Sequence, residues 1–181
     1  HSWSSVKLDL HGLKFFYAHV LKKPWGNVKL IKAPKTQRLP DIVTIEEAKT
    51  LFLATEKLSY RVFYFVVYSL GLRLGEGLRL SVADIDGQRL RVHVRDSKGN
   101  KDRFVPLPKM TLDVMRRFWA VHRHPTLLFP NRQGGLKFAH LAQTPLDRGG
   151  IQTTLCKVTQ ALGFKKNYAA QSAPQLCNPS D

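Results

Sequence analysis

Apolar positions recur along this chain at two spacings, and the change from one to the other marks its elements. Val6, Leu10, Leu13, Tyr17, Val20 and Leu21 fall at helical intervals behind Ser5, a plausible N-cap, so residues 6–21 predict one amphipathic helix. Thr44-Ile-Glu-Glu47 reads as a capping box, in which hydroxyl and carboxylate satisfy each other's backbone N–H, and predicts a helix from Ile45 to about Ala54. The run from Tyr60 to Leu70 is apolar nearly all round, as a central buried helix must be. Gly71 ends it, and a short helix over 74–80 follows.

The period then drops to two. Leu90, Val92 and Val94 alternate with Arg89, Arg91, His93 and Arg95, which predicts a strand with one buried and one cationic face. Phe104 and Val105 begin its return partner, and Ser97-Lys-Gly-Asn-Lys101 between them is a tight turn with Lys98 at its tip. Met110, Val114, Met115, Phe118 and Val121 restore helical spacing after Pro108. Leu127 to Pro130 is a short extended piece, and Ile151 to Leu162 a last helix closed by Gly163 as C-cap. No segment repeats. The fold class is mainly α with a small antiparallel β-sheet, α+β.

Residues 22–40 interrupt the pattern. Pro24, Gly26, Pro34 and Pro40 lie among Lys22, Lys23, Lys29, Lys32, Lys35 and Arg38, a composition that resists regular structure and repels itself into an extended basic linker. The helix before it is too little to fold alone. The expected organisation is a terminal helix of a preceding domain over 1–23, a linker over 24–40, a partial main domain over 41–166 and an unrelated tail over 167–181. The opening without methionine reads as that of a fragment.

Composition then narrows the partners. Lys and Arg number 29 against 13 Asp and Glu, a formal charge of +16 over 181 residues, which favours a polyanion bound in a salt-sensitive way. Two cysteines supply neither a disulfide framework nor a four-ligand zinc site, and a reducing cytoplasm fits. No apolar run approaches the roughly 20 residues of a membrane span. His122 and His124, two apart at a helix end, are poor geometry for a shared metal and read as surface residues. No cofactor is expected.

The candidate chemistry lies in Gly71-Leu-Arg-Leu-Gly-Glu76 and the hairpin that follows. A glycine turn holds Arg73 at the head of a short helix, with Glu76 one turn on in support. Arginine suits an anionic transition state through its permanent charge and planar fork of donors. Arg73 and Glu76, with a Lys-containing hairpin turn about twenty-five residues later, resemble the catalytic domain of tyrosine recombinases, the phage integrase family. The resemblance covers most of the chain, and residues 13–21 look like the last helix of that family's DNA-clamping domain. It implies that Arg73 and Lys98 contact the phosphate that is cut, Lys98 as proton donor to the leaving oxygen. Arg89, Arg91, Arg95, Lys101 and Arg103, with Lys32 and Lys35 of the linker, are then candidate contacts to duplex DNA, positioning its phosphates.

The resemblance also requires a His-x-x-Arg helix after Gly163 and a tyrosine that takes the DNA 3′-phosphate covalently. Neither follows in these 181 residues. Tyr168 falls where that helix should begin but has no family context and is not assigned as the nucleophile. Codons for Asn167 to Ser180 can be written so that, one base later, they read Ile-Thr-Pro-His-Ser-Leu-Arg-His-Ser-Tyr-Ala-Thr-His-Leu, which holds the absent motif. The third bases were chosen, but the protein fixes the first and most of the last bases of the shifted codons. An extra base near Lys165 and Lys166 is therefore expected.

The function expected is that of a DNA-binding, truncated or frameshifted part of a site-specific recombinase from a mobile element, incomplete as a strand-transferase. An alternative is a non-catalytic module that occupies sites or pairs with intact recombinase protomers. A basic RNA-binding protein is a third class, but aromatic stacking motifs for RNA are lacking.

Overall fold

The computed structural model describes residues 3–26, 43–97 and 101–164. The chain divides into two compact units, His1–Leu39 and Pro40–Asp181. In the first, helix α1 spans Trp3–His19, starting before the Ser5 cap that the sequence suggests. Tyr17 packs edge-on against Trp25, with ring centres 5.0 Å apart. Leu8, Leu13, Phe15, Phe16, Val20 and Leu21 of this unit remain exposed.

The second unit is built around an apolar helix. α2 (Ile45–Ala54) begins at the predicted capping box, where the Glu47 N–H donates to Thr44 Oγ1 at 3.2 Å and the Thr44 N–H to Glu47 Oε2 at 2.9 Å. α3 (Leu58–Leu70) is buried over most of its circumference, with Phe63 and Val66 inaccessible to solvent, while Leu58 and Tyr68 on the remaining face stay exposed. Around it pack Leu51 of α2, Met115 and Phe118 of α5 (Lys109–His122), Ile151 of α6 (Arg148–Ala161) and Phe129, whose ring meets Phe63 edge-on at 5.1 Å. Two polar ties fix helix register: Tyr64 Oη donates to the Ile151 carbonyl at 2.6 Å, and the Ser69 and Thr111 hydroxyls lie 2.6 Å apart.

Gly71 ends α3 in the left-handed region (φ 59°), where a side chain is strained, and its N–H returns to the Val67 and Tyr68 carbonyls. The chain then turns into α4 (Leu74–Leu78), two residues shorter than expected because Arg79 already caps it. Gly77 of α4 leaves no room for a Cβ, which would stand 2.7 Å from Val67 Cγ2. This contact presses α4 onto α3.

The sheet has the order β1-β2-β3, all antiparallel: β1 (Ile85–Asp86), β2 (Arg91–Ser97) and β3 (Lys101–Pro106). Val92 pairs with Ile85 and Val105, His93 with Phe104 and Val94 with Arg103. Val92 and Val94 are buried, so the two-residue alternation sets the buried face as read from the sequence. Leu90 is not part of the strand. It sits at φ 48° in the turn before β2, and its carbonyl accepts the Leu107 N–H at 2.8 Å. β1 and the two 3-10 turns, Val82–Asp84 and Leu136–Leu141, are too short to leave a periodic signal. No helix among the described residues is long and apolar enough to cross a membrane.

His122 and His124, read from sequence as surface residues, are instead buried at 2% and 5% exposure. Arg123 adopts the left-handed conformation (φ 47°) at the end of α5, which turns both imidazoles inward. His124 Nδ1 accepts the N–H groups of Thr126 (3.1 Å) and Leu127 (2.9 Å), leaving Nε2–H to donate to the Ala142 carbonyl at 2.8 Å. His122 Nδ1 accepts the His124 N–H at 3.1 Å, while its Nε2 is buried without a partner among the described residues. The knot ties α5 to the Ser81–Leu127 bridge and the second 3-10 turn.

Burial, reinforced by the neighbouring His124, pushes His122 down to about 4 from its ordinary 6.5. The unfolded chain then binds a proton in the interval between those values that the folded chain refuses. His122 therefore adds its full stability above pH ~6.5 and loses it as pH falls toward 4, at most about 3 kcal/mol. Urea denaturation across that window is expected to show stability rising with pH. In His122→Asn, which keeps an acceptor but does not titrate, this rise should shrink.

Candidate phosphate-binding site

Arg73 is placed by its neighbours. The backbone there is extended (φ −72°, ψ 152°), so Leu72 and Leu74 point one way and Arg73 the other. Both leucines are buried, at 0% and 4% exposure, which leaves the Arg73 side chain 47% exposed on the opposite side. Arg73 is also the residue before α4. A guanidinium has no acceptor to cap that helix, so the bonding runs from Arg73 to Glu76: its N–H donates to Glu76 Oε2 and its Nη1 to Oε1, both at 2.8 Å.

Glu76 is the centre of the site. Its side chain is only 3% exposed and also receives Arg103 from β3, with Nη1 to Oε1 and Nη2 to Oε2 both at 2.9 Å. Two parallel bonds of equal length are the fork geometry in which arginine binds carboxylates best. Those hydrogen bonds hold the Arg103 guanidinium above its ordinary range, against the opposing effect of burial. Glu76 thus links the glycine turn to the hairpin through one carboxylate.

The other hairpin cations have particular surroundings. Arg95 donates through Nε to Asp84 at 2.7 Å, and Asp84 is 5% exposed in its side chain. Arg91 donates to Asp86 at 3.2 Å and lies over the Phe104 ring at 4.4 Å. Arg89 is the most exposed of these, 3.6 Å from Asp86. The Arg89 backbone N–H holds the Asp86 carboxyl below its ordinary range against the opposing effect of desolvation, with help from the Arg91 side chain. Lys101 is exposed and makes no ion pair with a described residue. Lys98, Lys32 and Lys35 lie outside the described residues, as does the expected approach of Lys98 to Arg73.

Sequence reasoning missed two features. Arg103 shares its strand face with the partly buried Val105, and a cation on an inward face needs an acid, a signal present in the alternation. On the outward face Phe104 is 58% exposed, with the His93 ring stacked on it at 4.8 Å and His93 Nε2 3.0 Å from Asp102. The apolar residue among the cations was the available sign. Among the described residues no three His, Cys, Asp or Glu side chains gather as metal ligands.

A mostly helical unit with a three-stranded antiparallel sheet, carrying an arginine over a buried acid, has the fold of the tyrosine recombinase catalytic domain. A XerA recombinase structure matches 92% of this chain and 57% of its own length, with TM-score 0.56 and 22% identity. A XerH recombinase structure, described as bound to its difH substrate before cleavage, matches 93% of this chain and 51% of its own, with TM-score 0.65 and 17% identity. The chain belongs to the phage integrase family, which it matches over residues 40–172. Among curated relatives, y4qK of Sinorhizobium fredii, described as an integrase/recombinase, is 32% identical over 133 residues, 73% of this chain and 43% of the relative. Tyrosine recombinase XerA of Pyrococcus furiosus is 31% identical over 121 residues, 65% of this chain and 42% of the relative. The chain spans about half the length, or less, of the relatives it matches.

Proposed function

We propose that this chain is the duplex-DNA-contacting part of a site-specific tyrosine recombinase, and that Arg73 binds a backbone phosphate. The observation that carries the reading is the buried Glu76 carboxylate, which orients a half-exposed Arg73 from two directions. A preorganised guanidinium costs little reorganisation when negative charge builds on a phosphate oxygen. Lys98, at the family's hairpin-turn position, is the proposed proton donor to the leaving oxygen. Arg89, which is 72% exposed, and Lys101, which makes no ion pair with a described residue, are the proposed contacts to flanking phosphates, and Arg91, Arg95, Lys32 and Lys35 are further proposed DNA contacts. The XerH neighbour's difH substrate and the family membership support duplex DNA as the partner.

The same reading makes these 181 residues an incomplete strand-transferase from a mobile element, working wherever DNA is held. Strand transfer in this family passes through a phosphotyrosine, and residues 164–181 hold no His-x-x-Arg. A shifted reading frame near Lys165 accounts for that, and residues 165–181 lie outside the described structure. A non-catalytic role, occupying sites or joining intact protomers on DNA, is the second reading, favoured by the same absent motif.

Titration of a fluorescent duplex at rising salt tests the DNA assignment. Binding at low salt should weaken along a straight line of log affinity against log salt, with little sequence preference. No binding at low salt, or affinity indifferent to salt, would overturn it.

A further inference from the structure

We propose that Arg103 is a positioning residue that keeps Arg73 able to bind phosphate by occupying the carboxylate that would otherwise neutralise it. This rests on the reading of Arg73 as a phosphate ligand. Arg103 reaches both oxygens of Glu76 in a symmetric fork, and the Arg73 side chain also reaches Oε1. Glu76 is withdrawn from water, so its charge is poorly screened and acts strongly on whatever cation lies beside it. With Arg73 as its partner alone, the pair would be neutral, and an incoming phosphate would have to compete with a buried carboxylate for the guanidinium. With Arg103 added, the three groups carry one net positive charge. Arg73 is the more exposed of the two arginines, 47% against 34%, so the surplus charge faces solvent on the Arg73 side.

The fork also fixes the plane of the carboxylate. Glu76 Oε2 accepts the Arg73 backbone N–H at 2.8 Å, so the orientation set by Arg103 is passed to the backbone that aims Arg73. Arg103 itself is held by the β3–β2 pairing, opposite the buried Val94. It thus acts on phosphate through Glu76 and Arg73, without touching the DNA.

A double-mutant cycle in the 181-residue chain tests this, using Arg73→Ala, Arg103→Met and both, against duplex DNA across a salt series. In parallel, inorganic phosphate is titrated against the Arg73 Nε–H NMR signal. Arg103→Met is expected to weaken duplex binding about as much as Arg73→Ala, roughly tenfold. The double variant should bind no worse than Arg73→Ala alone, and the Arg73 signal in Arg103→Met should respond less to phosphate. Arg103→Lys, which keeps a cation but not the fork, should recover part of both. Additive losses, with each substitution lowering the salt slope by about one, would make Arg103 a direct phosphate contact and overturn the proposal. Unchanged affinity and an unchanged phosphate response would reduce Arg103 to a structural role and equally overturn it. Should wild-type protein bind no duplex, the DNA reading of Arg73 fails, but the phosphate response of the Arg73 signal still decides the role of Arg103. If Arg103→Met does not fold, Arg103→Lys carries the test: a weaker phosphate response than wild type supports the proposal, and an equal one overturns it.

Discussion

On a nicked suicide duplex, the 181-residue chain is expected to form no covalent protein–DNA adduct, and its gene with one base removed near the Asn167 codon is expected to encode the absent His-x-x-Arg helix. Transesterification needs positive groups around the phosphate, a donor for the leaving oxygen and a nucleophile held in line. These residues supply Arg73 on its Glu76 support and, by resemblance, Lys98. These 181 residues hold neither the second arginine and histidine of a His-x-x-Arg helix nor a tyrosine in the family's context. Each missing electrostatic group costs on the order of a hundredfold in rate, so two of them alone remove about four orders of magnitude before the nucleophile is considered. An adduct from the 181-residue chain would contradict the inactivity, and codons for 167–180 that give no His-x-x-Arg in the next frame would contradict the frameshift.

Glu76→Ala should lower stability by about 3 kcal/mol, among the largest effects of any single substitution in the second unit. It removes the acid shared by two arginines and leaves both guanidiniums beside a cavity. Breaking a buried ion pair costs about 3–5 kcal/mol, and the lower end applies because both arginines are partly exposed and regain some hydration. Glu76→Gln keeps the volume and one acceptor oxygen, so its loss should be smaller. Urea unfolding of the two variants separates these outcomes. A cost below about 1 kcal/mol for Glu76→Ala would mean that the cluster is held together by the surrounding backbone instead.

Elements with many periodic residues were legible in the sequence, and those defined by one or two residues were not. Tyr60 to Leu70 is apolar nearly all round, as a central helix is expected to be, and α3 buries most of its circumference. The Thr44–Glu47 box placed the start of α2 because its two bonds are local. Leu90 fitted the strand's alternation, yet its positive φ depends on the turn before β2, a long-range constraint invisible in periodicity. His122 and His124 misled because polarity suggests exposure, whereas their partners come from residues 126, 127 and 142, brought together only by the fold. Around Arg73, the contact with Glu76 was legible from local spacing. Arg103 was read as one more outward cation, because its bond to Glu76 joins residues 27 positions apart. Asp84 and Asp86 likewise pair with Arg95 and Arg91, contacts that the strand's alternation does not announce.

The central claim is that Arg73 faces a DNA phosphate. Its most direct test is the affinity of wild-type and Arg73→Ala protein for one duplex, measured over the same salt series with folding verified for both. The account predicts that Arg73→Ala binds roughly tenfold more weakly at low salt and that its log–log salt slope is shallower by about one, the signature of a lost phosphate contact. Equal affinities with parallel slopes would contradict it.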